Sequence, residues 1–359
     1  MDMLIKLRYL DLENVFTLKD IPTGLLPKLV HLQHLSFPVC KEKPGLKAEE
    51  MEPLKKLECL TGSFEDISEF NKFISSMQQS KKNLIKYHLQ VSSYNLVCGR
   101  DKTITIVGVD NWEGELIMHP IEIQKLNIHE CDYLRSLVDD NSSFKNAIDL
   151  RILKVLELYD LPELSALIMK DVGIGSATTS PFAPSATFSH LKQIFIVRCS
   201  SMKTLLPHWL LPNLQNLEEI WVRECDEVVE ILGAETSEVE EKGSDALIKF
   251  HLPKLRVLEL FGLPNLKSIC SKSGVMVCDS LQLISVMAGC YKLKKISPFA
   301  PLVGNGQPFA YAPPSLTIRV QLGFPTLAHF LESQHPLETS RSVSPAPETM
   351  AINEACPPH

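Results

Sequence analysis

Apolar residues recur along the chain in one 15-residue phrase. LKQIFIVRCSSMKTL (191–205) and LEEIWVRECDEVVEI (217–231) are both apolar at their first, fourth, sixth, ninth, twelfth and fifteenth positions. The same spacing fits LRYLDLENVFTLKDI (7–21), IQKLNIHECDYLRSL (123–137), LKVLELYDLPELSAL (153–167) and LRVLELFGLPNLKSI (255–269) without exception. A further copy runs from Leu281 through Ile284, Val286, Cys290 and Leu293 to Ile296, with one extra residue before its cysteine. Positions four to six alternate, so a short strand there buries one face. Positions nine, twelve and fifteen step by three, which suits a tight turn or a loose single-turn helix on the return. Strands centred near residues 11, 36, 127, 157, 195, 221, 259 and 285 are therefore predicted to form one parallel sheet.

One such unit cannot cover its own apolar side, and stacked copies close a common core. The phrase L-x-x-L-x-L followed by a non-strand return resembles the leucine-rich repeat. The expected fold is an α/β repeat solenoid, a leucine-rich-repeat horseshoe with a parallel inner β-sheet and an irregular or short-helical outer side. Leu10, Leu35 and Leu60 lie 25 residues apart and mark three early units. Phe64, Ile67, Phe70, Ile74 and Met77 fall on one helical stripe within 63–80, with Ser63 and Asp66 placed as a capping start. LIKYHLQV (84–91) and KTITIVGV (102–109) read as two further strands.

Length alone, at 359 residues, suggests about two domains. The repeat overrides that prior and assigns residues 1–300 to one solenoid. Two insertions interrupt it: a Gly, Ser, Thr and Pro-rich stretch near 171–187 and an acidic one near 233–246. Residues 301–359 hold 10 of the 24 prolines and are expected to be a poorly ordered tail.

A formal charge of −7 argues against nucleic acid as partner, because that requires a clustered basic face. The ten cysteines show no C-x-x-C and no zinc spacing. Cys131, Cys199 and Cys225 recur at position nine, where Leu161 and Leu263 stand in other copies, so buried reduced thiols are expected. The first residues carry no secretory signal pattern, and no apolar run approaches the ~18 residues of a membrane span. These features predict a soluble, cytoplasmic protein.

No residue set looks catalytic, and no cofactor or metal is expected. His129-Glu130-Cys131 has metal-ligand residue types, but the template places His129 just past a strand, Glu130 in solvent and Cys131 in the core. His31 and His34 lack a carboxylate partner in a zinc-protease pattern. Asp139-Asp140 and the turn Asp110–Gly114 lack the form of a calcium loop. No Gly-rich phosphate loop with Lys and Ser/Thr occurs anywhere.

The interleaved LxxLxLxxLPxLxxI and LxxIxVxxCxxLxxL phrases resemble the C-terminal repeats of plant coiled-coil, nucleotide-binding, leucine-rich-repeat disease-resistance proteins. LRYLDLENVFTLKDIPTGLLPKLVHLQHL (7–35), LKKLECLTGSFEDISEFNKF (54–73) and SPFAPLVGNGQPFAYAPPSL (297–316) resemble other segments of that family in the same order. The resemblance covers about residues 4–318 and only the recognition end of such a receptor, so a truncated or partial receptor is expected. It implies a non-enzymatic module that senses a pathogen effector or a guarded host protein and restrains a nucleotide-binding module. The alternative is a leucine-rich-repeat substrate adaptor of a ubiquitin ligase.

Template positions five and seven face outward from the inner wall. Position five holds Asn127, Glu157, Phe195, Trp221 and Glu259, and position seven holds His129, Tyr159, Val197, Arg223 and Phe261. Exposed aromatics and arginine are the residue types enriched at binding hot spots. The candidate protein-binding set is Tyr159, Phe195, Glu219, Trp221, Arg223 and Phe261, centred on Trp221.

Overall fold

In the copies starting at 123, 153, 191, 217 and 255, all six template residues are buried. Their strands stack in parallel register, so each apolar position forms a row through the core. The computed structural model describes residues 4–13, 15, 22–37, 45–80, 83–91, 102–108, 122–137, 150–169, 187–233, 248–271, 274–293, 296, 301–304, 307–310 and 315–320. Both insertions expected at 171–187 and 233–246 lie almost wholly outside these residues, as do Asp139-Asp140, Asp110–Gly114 and everything after residue 320.

The inner wall begins with β1 (Tyr9–Asp11), β2 (His34–Ser36), β3 (Cys59–Phe64), β4 (Lys86–Val91) and β5 (Thr103–Val107). It continues with β6 (Lys125–His129), β7 (Val155–Tyr159) and β8 (Gln193–Val197). After the return strand β9 (Thr204–Pro207) comes β10 (Glu219–Arg223), and after β11 (Glu230–Gly233) and β12 (Ile248–His251) comes β13 (Val257–Phe261). Beyond β14 (Ser268–Cys270) and β15 (Gly274–Val277) lies β16 (Leu283–Val286). A hairpin of β17 (Pro301–Gly304) and β18 (Gln307–Ala310) precedes β19 (Thr317–Val320). Twelve of these form one parallel sheet in the order β1-β2-β3-β4-β5-β6-β7-β8-β10-β13-β16-β19. All eight predicted strand centres fall in or beside it. Its last strand is β19, paired with β16.

Two registers meet in the long strands β3 and β4. Leu10, Leu35, Leu60 and Tyr87 form one apolar row. From β4 onward the row is Leu89, Ile104, Leu126, Leu156, Ile194, Ile220, Leu258, Ile284 and Ile318, two residues further along the strands. Six residues in each of β3 and β4 let both rows be covered.

The helix predicted between 63 and 80 is α2 (Ile67–Gln79), which buries Phe70, Phe73, Ile74 and Met77. Phe64 meets Phe70 edge-on at 5.6 Å between ring centroids, tying helix to sheet. Its cap differs from the expectation. Asp66 accepts from the Glu69 backbone N–H at 2.8 Å, whereas Ser63 is a buried residue of β3. Burial at the end of β3, where Gly62, Ser63 and Phe64 are all buried, outranks the hydroxyl's capping propensity. A short helix, α1 (Ala48–Met51), packs against α2.

The return side carries more order than turns and single-turn helix. β9, β11 and β14 form a second parallel sheet, and β12 and β15 a third. Earlier copies show the same return contact without a strand, as in Ser165 N–H to Arg135 carbonyl at 3.0 Å. A three-residue step in apolar positions fits a wide extended return as well as a helical one. The period alone does not separate them.

Position eight, just after each inner strand, turns the chain out of the sheet. Glu130, Asp160, Arg198, Glu224 and Gly262 all adopt the left-handed region, with φ between 52° and 63°. Each donates its backbone N–H to the neighbouring repeat, for example Glu224 to the Phe261 carbonyl at 2.9 Å. This turn aims position nine into the core. Cys131, Cys199, Cys225, Leu161 and Leu263 all show 0% exposure there. Cys199 and Cys225 are free thiols.

Candidate functional site

On the face opposite the core, β7, β8, β10 and β13 present positions three, five and seven as half-buried side chains, apart from buried Glu259. Strand register sets Phe195 directly beside Trp221, Arg223 beside Phe261 and Tyr159 beside Val197. Phe195 and Trp221 stack with centroids 5.6 Å apart and planes 25° apart. The Arg223 guanidinium lies 5.3 Å from the Trp221 ring centroid, a cation–π distance. Arg223 also binds the Glu259 carboxylate, and the Trp221 indole N–H donates to Glu219 at 3.3 Å. Phe261, on the adjacent strand β13, sits diagonal to Trp221. The six candidate residues are thus gathered on one face, with Tyr159 two strands away from Trp221.

Not every position-five residue is exposed. Asn127 has 0% exposure and Glu259 8%, against the expectation of an open row. Thr105, Asn127 and Glu157 lie in register across β5, β6 and β7, and Thr105 is itself fully buried. The Asn127 amide donates to Thr105 Oγ1 at 3.3 Å, and His88 Nε2 lies 3.4 Å from the same oxygen. At its β7 end the row carries the Lys125–Glu157 ion pair at 2.6 Å. Asn127 Oδ1 remains buried without a hydrogen-bond partner.

His129 is the last residue of β6 rather than one past it, and its ring stacks on Tyr159 at 4.5 Å. Burial lowers the His129 pKa to about 4, and burial with nearby Glu157 raises that of Tyr159 to about 12. Both rings are uncharged at neutral pH, so neither is poised for proton transfer there. Glu130 is exposed and Cys131 buried, which separates the three residue types of that motif. His34 stacks on Tyr9 and His31 meets Lys56 at 3.0 Å. Among the described residues no group of three or more His, Cys, Asp or Glu is placed to hold a metal ion. Among them, too, no helix is long and apolar enough to cross a membrane.

The template did not single out the charged residues at the strand ends. Arg198 forms a bidentate pair with Asp160 at 2.5 and 2.7 Å and reaches Glu224 at 3.6 Å. The hydrogen bonds that Arg198 donates to Asp160 raise its pKa still further, so the guanidinium is charged at every working pH. Regular charge at position eight was the available signal.

Residues 174–301 match the family model of leucine-rich repeats of the plant disease resistance protein RPS2-like type. Three curated relatives come from Arabidopsis thaliana. Disease resistance protein At4g27190 is 27% identical over 82% of this chain and 33% of its own length. Probable disease resistance protein At1g12290 is 28% identical over 82% of the chain and 28% of its own. Disease resistance protein RPS5 is 34% identical over 36% of the chain and 13% of its own. The chain spans about a third or less of the length of each relative.

Proposed function

We propose that this leucine-rich-repeat region, of the type carried by plant nucleotide-binding, leucine-rich-repeat resistance proteins, recognises a protein partner through the inner face centred on Trp221. The observation that carries the reading is the in-register Phe195–Trp221 stack, half-buried on a hydrogen-bonded parallel sheet and flanked by Arg223, Phe261, Tyr159 and Glu219. A rigid aromatic platform loses little side-chain freedom on binding, and aromatics with arginine supply most hot-spot energy. The partner is a pathogen effector or a guarded host protein met in the plant cytoplasm. The module acts as part of a longer receptor, in which it restrains a nucleotide-binding module until the partner arrives.

The test is a photo-crosslinking residue placed at Val197, next to Tyr159 and one strand from Arg223, with the protein expressed in infected plant tissue. A crosslink to an effector or host protein, abolished by Trp221→Ala, is the expected result. Crosslinking that is indifferent to Trp221→Ala contradicts the assignment of the face.

A further inference from the structure

Charges around the candidate face are sorted by the end of the strand. The four residues that precede each of β7, β8, β10 and β13 contain Arg151, Lys154, Lys192, Lys254 and Arg256, against the single carboxylate of Glu218. The four residues that follow those strands contain Asp160, Glu163, Glu224, Asp226 and Glu227, against the single cation of Arg198. Backbone hydrogen bonds hold both rims in rows. Lys192 N–H donates to the Lys154 carbonyl at 2.8 Å and Arg256 N–H to the Glu218 carbonyl at 2.7 Å on the first, and Asp160 N–H to the Val197 carbonyl at 3.0 Å on the second.

The exceptions are neutralised where they stand. Glu218 is shared between Lys192 at 2.8 Å and Arg256 at 3.7 Å, and Arg198 between Asp160 and Glu224. Between the rims Lys125–Glu157 and Arg223–Glu259 are paired, and Glu219 accepts from the Trp221 indole N–H. What a partner meets is a basic edge, an aromatic floor and an acidic edge.

We propose that this face takes an extended segment of a protein partner lying along the strands, acidic at one end, apolar or aromatic in the middle and basic at the other. The proposal rests on the recognition reading above and adds the partner's chemistry and direction. Apart from the paired Glu218 and Arg198, each rim carries charge of one sign, so a segment following the repeats would meet one sign. Only a segment parallel to the strands meets both. A five-residue strand covers about 17 Å, so strand and both rims accommodate roughly eight to ten extended residues. The acidic end lies over Lys154, Lys192 and Arg256, the middle over Phe195 and Trp221, and the basic end over Asp160, Glu224 and Asp226. Complementary rims of this kind fix orientation and speed encounter more than they add affinity.

The experiment uses the full chain and two synthetic peptides of one composition. EDGLYLVGKR separates its charges, and EKGLYLVGDR mixes them at both ends. At about 50 mM salt the first is expected to bind roughly tenfold more tightly, with the difference falling below about threefold near 500 mM as screening shortens. Lys192→Glu with Arg256→Glu is expected to remove that preference with only a small fall in thermal midpoint, since the pairs both make with Glu218 are exposed. Equal binding of the two peptides, binding of neither, or an unchanged preference in the charge-reversed protein overturns the proposal. If the peptides bind equally yet Trp221→Ala weakens both, recognition at Trp221 stands and only the polarity fails.

Discussion

At position nine a thiol fills the space of a leucine and also satisfies a carbonyl. Cys131, Cys199 and Cys225 each reach back two residues, to the carbonyls of His129, Val197 and Arg223, at 3.3, 3.6 and 3.2 Å. Burial raises the Cys199 thiol well above its ordinary pKa and that of Cys225 to about 11, so neither is a thiolate at neutral pH. Cys199 and Cys225 are expected to ignore a thiol reagent at pH 7.5 in the folded protein and to react after unfolding. Rapid native labelling of either contradicts this. Two histidines give the molecule a pH dependence. Burial is the leading cause that lowers both His88 and His129 from 6.5 to about 4, with Lys125 adding to it and Asp160 opposing it at His129. The folded state therefore resists protonation, and its stability is complete above about pH 6.5 and lost as pH falls toward 4. The thermal midpoint should be level from about pH 8 to 6.5 and fall below that, by the equivalent of about 1–3 kcal/mol per histidine at the acid end. His88→Gln should make the fall shallower, and a midpoint that rises on acidification contradicts the assignment.

Elements differ in how openly the sequence declares them. Inner strands are readable because burial alternates with period two and the same phrase returns many times. The left-handed turn at position eight is hidden, because four of its five residues are Glu, Asp, Arg and Glu instead of glycine. The ordered return strands are hidden for another reason: TLLP, EILG and SIC share no obvious strand pattern, and pairing between repeats supplies the order. The burial of Asn127 was equally out of reach, since it depends on which side chains neighbouring repeats place beside it. In the candidate site, the side-by-side placement of Phe195 and Trp221 followed from template phase, whereas the Arg223–Glu259 pair and the Arg198 clamp did not. Two substitutions test elements directly. Asp66→Ala removes the cap of α2 and should cost about 1 kcal/mol in chemical denaturation, while Ser63 supplies no cap to lose. Gly289→Ala should cost about 1–3 kcal/mol, because φ is +95° there and an added Cβ would stand 2.6 Å from the Gly262 Cα. That close pair of glycines accommodates the extra residue before Cys290. A Gly289→Ala protein as stable as the wild type contradicts the turn.

Across the whole inner sheet the exposed face changes character. Over β4 to β6 it is a closed polar row of His88, Gln90, Thr103, Thr105 and Asn127, all nearly or fully buried. Over β7 to β13 it opens into aromatic rings between two oppositely charged rims. The first region is suited to holding neighbouring repeats in register, the second to meeting another molecule. Trp221 is the centre of the second, half-buried on the inner face and outside the core, so removing its ring forfeits the Phe195 stack and the Arg223 contact and should lower folding stability by about 1–2 kcal/mol without unfolding the protein. The most direct measurement is the affinity of a purified partner for three proteins side by side: wild type, Trp221→Ala, and a variant with Glu235, Glu238, Glu240 and Glu241 replaced by alanine. Recognition on the inner face predicts that Trp221→Ala loses about 2 kcal/mol or more of binding energy, roughly thirtyfold, while the acidic-stretch variant binds like wild type. Undiminished binding by Trp221→Ala, with binding abolished in the acidic-stretch variant, contradicts it.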